Sequence, residues 1–167
     1  HHGTNGGMSR YEKFKIYHEL FLNKTITEEE NSALANHFSD LTVGKVIAAP
    51  YVRGALEFIK KSYDKYKLFI STGMPTEEME KILAGRKIAN YFTDVFGSPT
   101  KKTVHVSNIL NNYNLDPNEL IFYGDSKTDL DAAKHANISF VLIKNRYNQT
   151  LSASFRGKII NNFIGIL

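Results

Sequence analysis

The sequence predicts an α/β fold in which a parallel sheet, covered by helices on both faces, follows a helical segment. Beyond Pro50, short apolar runs alternate with amphipathic stretches, which is typical of the strand–helix units of a parallel sheet. Before Pro50 the apolar residues keep helical spacing, and no strand pattern occurs. We therefore predict a three-layer, Rossmann-like core over residues 50–167 and a helical domain over residues 1–49.

The helical segment contains two amphipathic stretches. The first, SRYEKFKIYHELFL, places its aromatic and aliphatic residues mostly three or four positions apart. The second, TITEEENSALANHF, opens with a capping box, because Thr27 at the N-cap is followed three residues later by Glu30. These stretches predict a lobe made of helices alone.

The core is predicted to alternate helices and strands in a fixed order. The order is a helix in YVRGALEFIKKSYDKY, a strand in KLFIST, a helix in PTEEMEKILAGRKIANYF, a strand in DVFGS, a helix in TKKTVHVSNILNNYNL, a strand in LIFYGD, a helix in KTDLDAAKHAN and a strand in SFVLI. Thr76 is the expected N-cap of the second of these helices. Folds of this kind bind their ligands beyond the carboxyl ends of the strands.

Composition narrows the classes of function. The chain of 167 residues is expected to form one core, and the absence of cysteine excludes disulfides and thiolate metal sites, which suits a cytoplasmic protein. No apolar run is long enough to span a membrane. The net charge is +4, but the lysines are spread through amphipathic stretches, so we expect no nucleic-acid partner.

Two carboxylates mark the end of the apolar run that precedes GDSKTD. Asp125 follows the predicted strand, and Asp129 lies four residues later on the first turn of the next helix, so the two can face one point. Carboxylates held so close repel unless a cation lies between them, and an all-oxygen site suits Mg²⁺. The alternative is that Asp125 caps the helix and Asp129 is a solvated helix residue.

Other polar residues follow neighbouring strands. Thr72 and Gly73 come after LFIS, where a hydroxyl and free backbone N–H groups at a helix N-terminus form a cradle for an anion, although an ordinary helix cap is the alternative. Lys101 and Lys102 come after GSPT, and a lysine near such a cradle would neutralise a phosphate. A solvated lysine is the alternative for either residue.

The order of these parts resembles the haloacid dehalogenase-like hydrolase superfamily, in its phosphoglycolate phosphatase and β-phosphoglucomutase branch. YGDSKTDLDAAKHANISFVLI resembles the fourth motif of that family, LFISTGMP the second and GSPTKK the third. The resemblance gives Thr72 the hydroxyl position, and spacing favours Lys102 over Lys101 as the motif lysine. The helical lobe resembles a part of the cap domain that is inserted into the core in members of this family.

The first ten residues bear on the same resemblance. NGGMSRYEKF resembles the cap loop that members of this branch place over the substrate, and it puts Arg10 at the position of a substrate-binding basic residue. The alternatives are that HHGTNGG is the remnant of an expression vector and that Arg10 is a surface helix residue.

The resemblance implies a Mg²⁺-dependent phosphatase that acts on a small phosphorylated metabolite. It implies that Thr72 and Gly73 hold the transferring phosphoryl group, that Lys102 balances charge, and that Asp125 and Asp129 serve the metal, Asp129 through water or by holding Lys102. A dehalogenase of this family typically lacks the acid at the position of Asp125. A phosphomutase and a non-catalytic α/β binding module remain as alternatives.

One part of the family machinery has no counterpart in this sequence. The family nucleophile is the first aspartate of an Asp-X-Asp motif at the end of a strand that precedes the cap, and none of the remaining acidic candidates ends an apolar strand in this way: Asp40, Asp64, Asp94 and Asp116. We therefore expect an N-terminally truncated sequence that is inactive by itself.

The missing strand makes a structural prediction. In the family it lies between the strand at residues 67–72 and the strand at residues 120–124. We expect either a gap of about 9.5 Å, two strand spacings, or direct pairing of these two strands. We also expect low stability and aggregation through the uncovered strand edges.

Overall fold

The computed structural model describes residues 7–166, a mixed α/β chain. Seven helices and five strands alternate after the first two helices in the order α1 Arg10–Leu22, α2 Glu28–Ala48, α3 Ala55–Ser62, β1 Phe69–Pro75, α4 Thr76–Gly85, β2 Asp94–Ser98, α5 Lys102–Asn112, β3 Ile121–Gly124, α6 Lys127–His135, β4 Ser139–Ile143, α7 Gln149–Ser154 and β5 Lys158–Ile160. Short 3-10 turns cover Ala89–Tyr91 and Pro117–Glu119. The expectations about residues 1–6 lie outside the described residues.

All strand pairings in this part of the chain are parallel, as the strand–helix alternation predicts. β1 pairs with β2, with Ile70 opposite Val95, while β4 lies between β3 and β5. Helices α4 and α5 pack on β1, and α6 packs on β3 and β4. This is the parallel α/β core that the sequence predicts, in a Rossmann-like arrangement.

The sheet is interrupted between β1 and β3. Within residues 7–166 these strands do not pair, so the core consists of a two-stranded and a three-stranded part. A cavity of about 520 Å³ lies between them, lined by residues 69–71 of β1, residues 121–123 of β3, Phe58 of α3 and Phe163. Of the two expected outcomes, the direct pairing is wrong for residues 7–166, and a cavity lies between the two strands instead.

The two N-terminal helices form a pair that packs on the core through α4. The capping box at the start of α2 is confirmed, because the Glu30 N–H donates to the Thr27 hydroxyl (3.2 Å) and the Thr27 N–H donates to the Glu30 carboxylate (2.9 Å). None of the helices described has the length and apolarity that a membrane crossing needs. The domain boundary at residues 49 and 50, the low stability and the aggregation stay predictions.

Two local details differ from the sequence analysis. Helix α4 begins at Thr76 itself, after Pro75 at the N-cap, so the Thr76 side chain does not cap the helix. Helix α7 and strand β5 were not predicted, because six and three residues are too short to show a hydrophobic period.

Packing between the helices and the second part of the sheet forms the buried core. The side chains of Val106, Ala132, Ala133 and Ile138 make one cluster, with Phe122 and Phe140 packed against it. This core holds α5 against α6, and so it positions the first residues of both helices at the carboxyl ends of the strands.

Candidate functional site

The predicted site residues lie at the carboxyl ends of two strands that flank the gap. Thr72 and Gly73 lie in the last part of β1, and Asp125 follows β3 directly. Lys102 is the first residue of α5, and Asp129 lies in the first turn of α6. The fold therefore brings together residues that are more than fifty positions apart in the sequence.

Asp129 is buried, and both of its carboxylate oxygens accept hydrogen bonds. One carboxylate oxygen, Oδ1, accepts from the Lys102 ammonium, and both side chains are almost excluded from solvent. The other, Oδ2, accepts from the backbone N–H groups of Asp125 (3.2 Å) and Ser126 (3.0 Å) and from the Ser126 hydroxyl (2.7 Å). These contacts agree with one of the two roles that the resemblance implies for Asp129, the holding of Lys102, and that role stays a prediction; the three donors around Oδ2 occupy that oxygen.

This arrangement also identifies which lysine reaches the acidic turn. Lys101 is the N-cap residue of α5 and is exposed, whereas Lys102 turns inward to Asp129. Because Ser126 and Asp129 form a capping box at the start of α6, the helix N-terminus holds the carboxylate in place while Lys102 approaches it from α5.

Asp125 differs from Asp129 in that it makes no ion pair with another residue of the described range 7–166. Its Oδ2 accepts from the side-chain amide of Asn145 (2.8 Å), and its backbone carbonyl accepts from the amide of Asn148 (2.8 Å). Although the residue as a whole is exposed, partial burial of the carboxyl group raises its pKa, and the negative charge of Asp129 raises it further. A second cation at this point would favour the charged carboxylate.

Neither asparagine was identified from the sequence, although a signal was present. Asn145 comes two residues after the end of β4, where polar residues of a parallel sheet approach the ligand edge. Asn148 also donates to the carbonyl of Ile143 (2.8 Å), so it ties the turn after β3 to the end of β4.

The predicted hydroxyl of Thr72 lies near the end of β1, and the backbone of the N-terminal segment passes close to β1 at Gly73. Thr72 Oγ1 accepts from the N–H of Met74 (3.1 Å), a local turn that leaves its proton free to donate. A Cβ at Gly73 would stand 3.0 Å from the carbonyl oxygen of Gly7. A side chain at this position would have to push the N-terminal segment away by a few tenths of an ångström, because that segment lies directly against Gly73.

That N-terminal segment crosses from one flank of the gap to the other. Gly7 has φ of 78°, and a Cβ on it would come within 2.4 Å of the Ser126 hydroxyl and 2.2 Å of the Thr128 hydroxyl. Residues 7 and 8 therefore lie between the end of β1 and the turn after β3, at the mouth of the site.

A buried histidine joins three elements behind the site. His105 of α5 donates from Nε2 to the carbonyl of Gly97 (3.0 Å), so Nδ1 is free to accept from the hydroxyl of Ser71 (2.9 Å). Burial lowers the pKa of His105, and the positive charge of Lys102 lowers it further. The role of His105 could not be predicted from the sequence, because a single histidine in a helix forms no pattern.

Arg10 does not lie free at the site. Its guanidinium makes a bidentate ion pair with Glu78 of α4 (2.7 and 2.8 Å), and it also donates to the Ser39 hydroxyl (2.7 Å) and to the carbonyl of Ala35 (3.2 Å). Only 7% of the residue is exposed. The surface-helix alternative is therefore wrong, and substrate binding by Arg10, which would need a free guanidinium, has no support in this geometry.

The residues that are present fit magnesium only in part. Among residues 7–166 no group of three or more His, Cys, Asp or Glu side chains could hold a metal ion. Mg²⁺, however, is commonly held by one or two carboxylates together with water and substrate phosphate. Asp125, a carboxylate that has no cation partner in the described part of the chain, fits that mode.

Comparison with known proteins agrees with this arrangement. The family model for haloacid dehalogenase-like hydrolases matches residues 12–143. A phosphoglycolate phosphatase of Pasteurella multocida is 25% identical over 137 residues, and one of Vibrio vulnificus is 31% identical over 96 residues. These matches cover 77% and 53% of this chain, and they span 60% and 42% of the relatives.

Solved structures share the fold. A predicted phosphoglycolate phosphatase of Haemophilus somnus aligns with a TM-score of 0.77 at 21% identity, covering 98% of this chain and 78% of that one. A β-phosphoglucomutase of Clostridium difficile aligns with a TM-score of 0.74 at 18% identity, covering 96% and 74%. With the family model matched over most of its length, the chain belongs to the haloacid dehalogenase-like hydrolase family.

Proposed function

We propose that this chain is part of a cytoplasmic, Mg²⁺-dependent phosphatase that hydrolyses the phosphoric monoester of a small metabolite. The observation that carries the proposal is the cluster of Lys102, Asp129 and Asp125 at the same sheet edge as Thr72. A fixed ammonium, a hydroxyl and an unpaired carboxylate at one point suit a phosphate with its metal ion better than they suit an uncharged ligand.

Each residue has a role that follows from its contacts. The Thr72 hydroxyl and the backbone N–H of Gly73 donate to the oxygens of the transferring phosphoryl group. Lys102 is held by Asp129 and neutralises charge that builds up between nucleophile and phosphate. Asp129 is a positioning residue, because it holds the Lys102 ammonium and accepts from the backbone N–H groups of the turn after β3. Asp125 would hold Mg²⁺, which supplies charge neutralisation at the phosphate when bound.

The attacking aspartate is proposed to come from a strand that is not among these 167 residues. In the family resemblance this strand ends in Asp-X-Asp and lies between the strands that correspond to β1 and β3. The cavity of about 520 Å³ between those strands supports the proposal, since residues of both unpaired strands line it. The described chain by itself is then expected to be inactive.

Two other functions are kept as alternatives. A phosphomutase would use the same cluster, and its fold is similar enough that the fold does not separate the two. A non-catalytic module would bind the phosphorylated ligand without turnover. Dehalogenation is disfavoured, because the acid at position 125 has no use in a metal-free displacement.

The test is turnover of p-nitrophenyl phosphate with and without Mg²⁺. We expect none from this chain, and metal-dependent turnover from a version that carries an N-terminal strand ending in Asp-X-Asp. In that version Asp125→Asn should lower activity by about a hundredfold or more, whereas Asp131→Asn, an exposed change on the following helix α6, should not. Metal-independent activity would refute the proposal, and phosphate transfer between sugar positions would favour the mutase.

A further inference from the structure

Strand β1 loses its regular pairing with β2 where the proposed phosphate site begins. The pairing stops after Ser71, opposite Phe96, and resumes only at Pro75, opposite Ser98. Over this interval β1 advances by four residues and β2 by two, so residues 72–74 form a bulge in the sheet. Because the extra residues of a bulge are left unpaired in the ladder, other contacts have to fix the position of this bulge.

The side chain of His105 makes such contacts on both sides of the bulge. Its Nδ1 accepts from the hydroxyl of Ser71, the last paired residue before the bulge (2.9 Å). Its Nε2 donates to the carbonyl of Gly97, which lies opposite the bulge on β2 (3.0 Å). Only 1% of His105 is exposed, so water replaces these contacts poorly. One ring therefore bridges the two strands where their regular pairing is interrupted.

The backbone of β2 is also in close contact with the end of the bulge. A Cβ on Gly97 would stand 2.6 Å from the carbonyl oxygen of Met74 and 2.5 Å from the backbone nitrogen of Thr76. A shift of Gly97 would therefore move the bulge as well, and the hydrogen bond from His105 opposes such a shift.

The same histidine connects the bulge to the lysine of the site. His105 lies three residues after Lys102 on α5, and residues three apart share a helix face. Helix α5 packs on β1, so one of its faces carries both the ammonium that approaches Asp129 and the ring that holds the bulge. The position of the Thr72 hydroxyl relative to the Lys102 ammonium consequently depends on His105.

We propose that His105 is a positioning residue of the phosphate site, which fixes the bulge that carries Thr72 relative to the ammonium of Lys102. It acts through its two hydrogen bonds and does not itself bind the phosphate. The inference rests on the proposed function, because it takes the phosphate to be bound at Thr72 and Lys102. A site that spends part of its time in other conformations binds with an affinity reduced by the fraction that remains competent.

The first test is a calorimetric titration of this chain with inorganic phosphate in Mg²⁺ buffer. Ser71→Ala removes the donor to Nδ1 and should weaken phosphate binding by about fivefold, the equivalent of one neutral hydrogen bond. Ser71→Thr keeps the hydroxyl and should restore the affinity, since Ser71 borders the cavity between β1 and β3, where a methyl group has room. The control Ser107→Ala removes a hydroxyl of α5 that bonds back to the carbonyl of Thr103, and it should leave the affinity unchanged.

Histidine variants test the same hydrogen bond from its other side. The side-chain amide of glutamine reaches the position of Nε2, so His105→Gln keeps a donor for Gly97 and loses the acceptor for Ser71. It should weaken phosphate binding as much as Ser71→Ala does. The double variant should bind no more weakly than either single one, because all three lack the same bond. The control His135→Gln changes an exposed histidine and should have no effect.

Two further measurements distinguish positioning from a merely structural contact. Thermal unfolding of each variant gives the folded fraction, and a merely structural contact would lower the melting temperature without changing the affinity of the folded chain. Nitrogen NMR of the wild type needs no variant to fold. Saturating phosphate should shift the Nδ1 resonance of His105, because a fixed bulge tightens the bond from Ser71, and should leave the exposed His135 unchanged.

The outcomes separate this inference from the proposal beneath it. Equal phosphate affinity in the wild type, Ser71→Ala and His105→Gln overturns the inference and leaves the phosphatase proposal standing. The same holds for an additive loss in the double variant, for a Ser71→Thr variant as weak as Ser71→Ala, and for a His105 resonance that phosphate does not move. Failure of the wild type to bind phosphate overturns both.

Discussion

Replacing Asp129 by Asn should lower the free energy of unfolding by about 3 kcal/mol, because it leaves the Lys102 ammonium buried without a counter-charge. The two side chains of this ion pair are 5% and 11% exposed, so water replaces the lost contact poorly. Removal of one partner from a buried pair costs roughly 3–5 kcal/mol. The loss lies at the lower end of this range because Asn keeps an oxygen that can accept from Ser126 and so preserves part of the helix cap.

Urea denaturation followed by far-UV circular dichroism measures this change. With a slope of about 2 kcal/mol per molar urea, a loss of about 3 kcal/mol moves the midpoint down by about 1.5 M. The matched control is Asp131→Asn, which breaks the exposed pair with Lys127 on the same helix and should cost no more than about 0.5 kcal/mol.

A double variant provides a stricter test. Lys102→Met together with Asp129→Asn removes both charges, so it should be no less stable than Asp129→Asn alone. A cost equal to the sum of the two single variants would show that the charges are not coupled. A loss below about 1 kcal/mol for Asp129→Asn would show that Lys102 reaches solvent, and the reasoning about the site would fail.

Three further predictions concern the groups around this pair. Glu78→Gln should destabilise the chain by roughly 2–4 kcal/mol in urea denaturation, since Arg10 stays buried without its counter-charge. The control Glu77→Gln changes an exposed residue and should have little effect. Equal effects of the two variants would contradict a stabilising ion pair between Arg10 of α1 and Glu78 of α4. For His105 the folded-state pKa is lowered below the ordinary 6.5, so the unfolded chain binds the proton first and stability is lost as the pH falls below about 6.5. His105→Gln, which keeps a donor for the Gly97 carbonyl, should remove that part of the pH dependence measured by thermal unfolding, and an unchanged slope would contradict a buried neutral histidine. For Asp125 the folded-state pKa is raised above 3.8, so its contribution to stability falls as the pH rises through that range. Asp125→Asn should therefore be more stable than the wild type at neutral pH and should not be stabilised by Mg²⁺, and a variant that is less stable at pH 7 would contradict the repulsion from Asp129.

The opposite signs expected for the two carboxylates follow from their positions. Asp129 stabilises the fold because a helix N-terminus and a lysine surround it, and Asp125 opposes the fold because a neighbouring carboxylate and partial burial disfavour its charge. Charged groups that destabilise the fold are common in binding sites, because the bound ligand stabilises their charged form.

The sequence alone was sufficient for features that depend on neighbours within one turn or on a hydrophobic period. The strand–helix alternation, the capping box at Thr27 and the acidic turn around Asp125 were all predicted, because the interacting groups lie within three or four residues of each other. The gap beside β1 was predicted from a missing strand of the family pattern.

Tertiary structure alone decided the partners that come from remote elements. The pairs Lys102 with Asp129, Arg10 with Glu78 and Ser71 with His105 join residues 27, 68 and 34 positions apart. Burial and the choice of counter-charge depend on which helices pack together, and no local pattern records that packing. For this reason the sequence could mark Arg10 as a basic residue near the site, but only the position of α4 showed that its charge is already paired.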